Sequence, residues 1–270
     1  MNCIICNNLM QYYFSKNWEM PFKVLLESAD FYRCENCGFT ISKTVYDLNV
    51  KDWEILNFKF HNYIENLNNP KQANQPPYIE QALMLNILIR NNIINGNHMV
   101  DYGAGIGTLS KLLNFYFDIQ LSVFDPYIKN ESNDVKYLKI NEIGKRMVVF
   151  CSAIFEHITK REHLDEINSY VKDDGVLIIH TVVCENIPND SNWFYINPPV
   201  HSSLHTNKSM TILMKQYNYV SSIYCPSSKC WILFKKESKG LNKRIKEVNK
   251  QFQTEYLVYK KGFMDYWKGF

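Results

Sequence analysis

Three glycines at alternate positions constrain this 270-residue chain more than any other feature. They stand in Met99-Val100-Asp101-Tyr102-Gly103-Ala104-Gly105-Ile106-Gly107-Thr108-Leu109-Ser110, where a short apolar run enters the glycines and leaves them in a helical pattern. Glycine lets a backbone turn sharply and lets a ligand approach it closely. The helix behind the loop offers free N–H groups and a partial positive charge, which suit a carboxylate or phosphate. A strand, a glycine loop and a helix in that order are the opening unit of an open α/β sheet with a ligand at its rim.

The texture after this unit agrees. Short apolar runs at 98–102, 121–124, 135–140, 147–152 and 176–183 alternate with amphipathic stretches at 108–117 and 161–171. Strand and helix in alternation predict a mainly parallel sheet with helices on both faces. After a helix near 207–217, the runs 219–225 and 230–235 flank Pro226-Ser227-Ser228-Lys229 and read as a hairpin. The predicted fold is therefore α/β: a Rossmann-like, doubly wound, seven-stranded sheet whose last strand is antiparallel. Residues 53–95 read as helical, with Trp53, Leu56, Phe60, Tyr63, Ile64 and Leu67 at helical spacing and a break at Pro76-Pro77.

A second apolar strand ends at Phe124-Asp125-Pro126, and Asp125 lies 22 residues past Gly103. An acid at that offset can accept both hydroxyls of an adenosine ribose. The loop spacing is G-x-G-x-G, one place short of a dinucleotide fingerprint. Asp101 just before it adds negative charge where phosphates would lie. A cofactor with an ammonium, a carboxylate and a ribose but no phosphate fits better, and S-adenosylmethionine (SAM) has that composition.

These residues, with Cys151-Ser152-Ala153-Ile154-Phe155-Glu156-His157-Ile158 after the fourth strand and Asp174-Gly175-Val176-Leu177-Ile178-Ile179 in the fifth, resemble the class I SAM-dependent methyltransferases over about 78–236. The resemblance implies cofactor contacts at Asp101, Gly103, Ala104, Gly105, Gly107, Asp125, Pro126, Ser152 and Phe155. It leaves the adenine contact to Asn141 or Glu142. The family's usual Pro-Gly-Gly turn is replaced here by Asp173-Asp174-Gly175.

Cys3-x-x-Cys6 and Cys34-x-x-Cys37 are two knuckles 27 residues apart. Two such pairs complete a tetrahedral thiolate shell, so Cys3, Cys6, Cys34 and Cys37 are the expected ligands of one structural Zn²⁺ with no open position. A zinc ribbon ahead of a SAM domain resembles both the sugar methyltransferases of nucleotide-sugar and polysaccharide pathways and ribosomal RNA guanine methyltransferases. Tyr32-Arg33-Cys34-Glu35-Asn36-Cys37-Gly38-Phe39 is closer to the first. The long C-terminal domain of sugar C-methyltransferases is not seen in this sequence, which counts against C-methylation. The expected division is a zinc ribbon at 1–50, a helical connector or cofactor lid at 51–95, a SAM-binding domain at 96–236 and a basic helical tail at 237–270.

Methyl transfer to a hydroxyl needs an acceptor held in line and a base for its proton. Histidine suits that task at neutral pH. His157 follows the fourth strand, and His201 and His205 follow Trp193-Phe194-Tyr195-Ile196-Asn197-Pro198-Pro199 in a loop resembling the Pro-Pro-x-His stretch of small-molecule methyltransferases. His157, His201 and His205 are thus the candidate bases. Glu156, Trp193 and Tyr195 are candidates for the substrate pocket, since aromatic faces suit sugar rings. Packing roles are the plainer alternative for each.

Composition narrows the partners. The chain is +3 overall, but residues 235–270 hold ten Lys/Arg against four Asp/Glu, a net of +6 that leaves the remainder at −3. Residues 1–40 have no dense basic cluster, so a nucleic-acid partner gains little from the ribbon. No apolar run approaches a membrane span, and the N-terminus has neither a basic start nor an apolar signal core. The eight cysteines are then expected to be reduced, in a cytoplasmic protein. The expected function is O-methylation of a small sugar substrate, with an RNA methyltransferase or a non-catalytic SAM-fold adaptor as alternatives.

Overall fold

The computed structural model describes residues 1–65, 76–127 and 135–265. In chain order the elements are β1 (Met10–Asn17), β2 (Ser28–Cys34), β3 (Thr40–Ser42), α1 (Lys43–Tyr46), α2 (Val50–Glu65), α3 (Tyr78–Arg90), β4 (Met99–Tyr102), α4 (Thr108–Phe117) and β5 (Ser122–Phe124). They continue with β6 (Arg146–Ser152), α5 (Arg161–Ser169), β7 (Val171–His180), β8 (Val183–Cys184), β9 (Ser203–Thr206), α6 (Asn207–Gln216), β10 (Ser221–Cys225), β11 (Cys230–Phe234), α7 (Leu241–Phe252) and β12 (Val258–Lys261).

The strands form a seven-stranded sheet in the order β12-β10-β11-β7-β6-β4-β5 and a five-stranded sheet in the order β1-β2-β3-β9-β8. In the larger sheet β5, β4, β6 and β7 are parallel, and β11 runs antiparallel to both β7 and β10. The central strands are apolar on both faces because both are covered. Val149, Cys151, Leu177 and Ile179 face α5 and α6. Their neighbours Val148, Phe150, Val176 and Ile178 face α3, α4 and α7. The predicted Rossmann-like architecture is thus present.

Two strands differ from expectation. The run 135–140 makes only a parallel bridge from Tyr137 to Val123 before a 3₁₀ turn at Ile140–Glu142. Its side chains bind the glycine loop instead, where the Tyr137 hydroxyl donates to Gly105 O at 2.9 Å. The seventh strand is β12, antiparallel to β10, in a tail expected to be helical. Helix α7 precedes it and buries Leu241, Ile245 and Val248. Leu67 of the predicted helical stripe lies outside the described residues, as does the chain after Asp265.

The smaller sheet joins distant parts of the chain. β1, β2 and β3 come from the cysteine-bearing N-terminus, and β9 and β8 from the segment following β7. Thr40 pairs with Leu204 and Ile41 with Ser203, and Ser42 N donates to Ser202 O at 2.7 Å. The cysteine knuckles also sit against the helices that cover the larger sheet. Gln216 of α6 donates to Ile5 O at 2.8 Å, and Arg161 of α5 reaches Ile4 O and Ile5 O.

Candidate functional site

In open α/β sheets ligands bind outside the carboxyl ends of the strands. Here β4 ends in the glycine loop, whose Gly103, Gly105 and Gly107 all have positive φ. Gly103 is the most demanding: with φ +75°, a Cβ there would lie 2.2 Å from Ile154 Cδ1. Gly103 N and Ala104 N donate to Phe124 O at 2.8 and 3.1 Å, tying the loop to the end of β5. Asp125 completes it, accepting from Gly105 N through Oδ2 and from Tyr127 N through Oδ1, both at 2.8 Å.

Asp101 is the electrostatic oddity of this rim. It is 2 % exposed, and its Oδ1 has no hydrogen-bond partner. Burial, with Asp125 nearby, pushes its carboxyl up to about 8. A buried acid without a partner is costly unless a ligand supplies one. Beside it, Ser152 at the tip of β6 exchanges hydrogen bonds of 3.0 and 3.1 Å with Gln81 of α3. Sequence reasoning missed Gln81, a fully buried polar residue on an otherwise apolar helix face. Pro126 is exposed, and Phe155 lies in the core against His205. Glu142 caps its own turn by accepting from Lys139 N at 2.7 Å, and Asn141 beside it is exposed.

The second part of the site lies on the turn Phe155–His157 after β6 and on the loop before β9. Ser202 N donates to Glu156 O at 2.8 Å and joins the two. Glu156, His157 and His201 meet there, with one side-chain N or O of each within 4.8 Å of the others. The Glu156 carboxylate faces the Thr181 and Tyr195 hydroxyls, and burial pushes it up to about 7. His201 Nδ1 lies 2.7 Å from Tyr195 O, a carbonyl that can only accept. That contact places the neutral ring's proton on Nδ1 and leaves the Nε2 lone pair free. Burial lowers His201 to about 4 and His157 well below its ordinary value.

Helix α2 covers this cluster. His61 stacks on His157 with centroids 5.9 Å apart, and Trp53 meets the same ring at 6.5 Å. Tyr195 packs on His201 at 4.7 Å and on Trp193 at 5.4 Å. The Tyr195 hydroxyl accepts from Val182 N at 3.1 Å, so Tyr195 lines the site from a fixed position. His205 is elsewhere. It is 1 % exposed, lies between Phe39 and Phe155, and its Nε2 is 3.4 Å from Phe155 O. The structure therefore brings His157 and His201 together and leaves His205 in the core.

The four N-terminal cysteines converge as their spacing predicts. Their Sγ atoms all lie within 4.8 Å of one another, with Cys3–Cys37 at 3.6 Å and Cys6–Cys34 at 3.4 Å. Sulfurs at the corners of a zinc tetrahedron with bonds of about 2.3 Å stand about 3.8 Å apart, so the cluster fits that ion. Ile5 N donates to Cys3 Sγ at 3.4 Å, and Gly38, with φ +72°, turns the second knuckle. The bond from Cys37 lowers Cys3 to about 6 and raises Cys37, the behaviour of thiols crowded into sharing protons. Cys225 and Cys230 face one another in the β10–β11 hairpin, buried and apart from this cluster.

A cleft of about 930 Å³ lies at the other end of the larger sheet, lined by Asn97, His98, Gln120 and Asp174 among others. It is at the amino ends of the strands, away from the glycine loop.

No protein-family model matches the chain, and a search of curated proteins gives no match. Solved structures do resemble it. The plantazolicin methyltransferase BpumL in complex with SAH matches with a TM-score of 0.44 and 11 % identity, over 72 % of this chain and 98 % of that one. An O-methyltransferase family protein from Burkholderia thailandensis gives 0.40 and 14 %, over 52 % and 51 %. Coclaurine N-methyltransferase bound to N-methylheliamine and SAH gives 0.36 and 18 %, over 53 % and 49 %. At these scores the likenesses lend no weight to a function.

Proposed function

We propose that the chain is a SAM-dependent methyltransferase that transfers methyl to a hydroxyl of a small molecule, with a sugar as the preferred acceptor class. The observation behind the cofactor is Asp101, buried and unpartnered at the mouth of a three-glycine loop, with Asp125 across from it. Asp101 would take the ammonium of SAM and Asp125 the ribose hydroxyls, while the loop amides and the start of α4 would receive the carboxylate. Bound there, SAM supplies a methyl group already activated by its sulfonium.

The chain's task is then to hold the acceptor oxygen in line and to remove its proton. SAM bound there would give its methyl to the acceptor oxygen, and the acceptor's proton would pass to the Glu156–His157–His201 cluster. As the side chains stand, His201 Nε2 is the free acceptor lone pair. Tyr195 packs on His201 and Trp193 on Tyr195, and these aromatic rings beside the cluster are what favours a sugar acceptor. The four cysteines would hold a structural Zn²⁺ that closes the N-terminal knuckles.

The test is methyl-labelled SAM incubated with the purified protein and fractionated cell extract. Label in small molecules or polysaccharide, lost in Asp125→Ala, is the expected result. Label in RNA would overturn the acceptor class and keep the cofactor. SAM binding without label in any fraction would argue against an enzyme.

A further inference from the structure

We propose that Glu156, His157 and His201 bind one divalent transition-metal ion, Zn²⁺ by the character of the donors, at a site separate from the four cysteines. Their donor atoms lie within 4.8 Å of one another. Ligands of one zinc ion, bound at about 2.0–2.2 Å, stand about 3–3.5 Å apart, so small side-chain rotations close the set. Glu156 is 2 % exposed and its Oε2 has no partner. A buried carboxylate oxygen of that kind is balanced by a paired charge or a coordinated metal. His201 has the outer-shell support of a metal-bound histidine, since its Nδ1–H is held by Tyr195 O at 2.7 Å and its Nε2 is left to bind.

The backbone holds the ligands in place. Glu156 and His157 share one 3₁₀ turn, and Ser202 N bonds Glu156 O at 2.8 Å beside His201. Two imidazoles and one carboxylate suit zinc, and three protein ligands leave a position open to an oxygen of a substrate or water. With the ion in place His201 Nε2 would be a ligand and no longer the base, and an alcohol bound at the open position would become more acidic and give its proton to solvent water. Ion binding stands on these side chains alone, and its use in catalysis rests on the methyl-transfer reading.

The experiment loads the full chain with Zn²⁺, removes loose metal by gel filtration and counts ions per chain by mass spectrometry. Glu156→Gln and His201→Asn are treated alongside, with circular dichroism to verify folding and SAM titrated into every sample. Wild type should hold one ion more than either folded variant, with SAM affinity unchanged across the three. Co²⁺ loading should give thiolate-to-metal charge transfer of equal strength in all three. It should also give weaker visible bands, free of thiolate character, that only wild type shows. Equal ion counts and equal Co²⁺ spectra in wild type and both variants would overturn the site. Loss of SAM binding in wild type would instead sink the cofactor reading and leave the ion count to judge the site.

Discussion

The cysteine cluster and the Glu156–His157–His201 cluster are both convergences of donor atoms, yet they differ in their donors and surroundings. The first is a set of four sulfurs from two tight knuckles, closed on itself and backed by α5 and α6. The second has three mixed donors, a solvent-facing histidine stacked over it and an aromatic wall beside it. A full shell leaves an ion nothing to do but hold the chain, whereas an incomplete one leaves room for chemistry. The two are joined through β3 and β9, because the strand leaving the second knuckle pairs with the strand that follows His201. The knuckles thus help aim the loop that carries the candidate base.

The largest effect that could break this contrast is loss of the closed cluster. A structural zinc site contributes about 10–16 kcal/mol of apparent binding free energy, which rivals the whole stability of a domain at about 5–15 kcal/mol. Cys34→Ser should therefore lose the ion and the ordered N-terminal sheet, seen as lost metal and as fast hydrogen exchange through β1–β3. Retained metal with native exchange would mean the knuckles are ordinary buried thiols.

At the open cluster the expected effect falls on rate. His201→Ala should lower turnover by about 10²–10⁴-fold with little change in SAM affinity, whether the ring serves as base or as ligand. His205→Ala should behave in the opposite way, costing about 1 kcal/mol or more of stability while turnover per folded molecule is kept. If His205→Ala alone abolished turnover, the roles assigned to the two histidines would be reversed.

The junction between the clusters predicts a smaller effect. Thr206 caps α6 by accepting from Ser209 N at 3.1 Å, and its hydroxyl donates to Cys37 O. Thr206→Val removes both bonds and should cost about 1–2 kcal/mol, read from denaturant midpoints. If it also lowers turnover, the knuckles and the loop act as one unit.

How much of this could be read in the sequence depended on the distance over which each feature is decided. The glycine loop, Asp125 and the cysteine knuckles are set by local backbone needs, and each was legible from spacing. The meeting of Glu156 with His201 was not, because it spans 45 positions and depends on how the loop before β9 returns across the turn after β6. The sheet β1-β2-β3-β9-β8 was hidden for the same reason, since strand pairing across 160 residues leaves no periodic trace. Histidines 201 and 205 looked alike in sequence. Only the pairing of β9 with β3 sends the second against Phe39 in the core. Tyr137 shows the converse: the strand-like run 135–140 pairs only at Val123, and the Tyr137 hydroxyl donates to Gly105 O.

The last prediction concerns pH and tests the cofactor site without touching either cluster. Asp101 titrates near 3.8 when exposed and is raised to about 8 in the fold by burial. Between those values the folded state holds a proton that the unfolded state has lost, so this group's contribution to stability declines as pH rises from about 4 to about 8. A ligand ammonium reverses the preference, because it pairs only with the carboxylate. SAM binding should then release that proton, and affinity should rise by up to about tenfold per pH unit towards pH 8 before levelling. Asp101→Asn should flatten the dependence and weaken binding. Isothermal titration of SAM at several pH values, in buffers of different ionisation enthalpy, would read the proton directly. A wild-type affinity that is flat with pH and releases no proton would mean that Asp101 faces no cation, and the case for SAM would then rest on Asp125 and the loop.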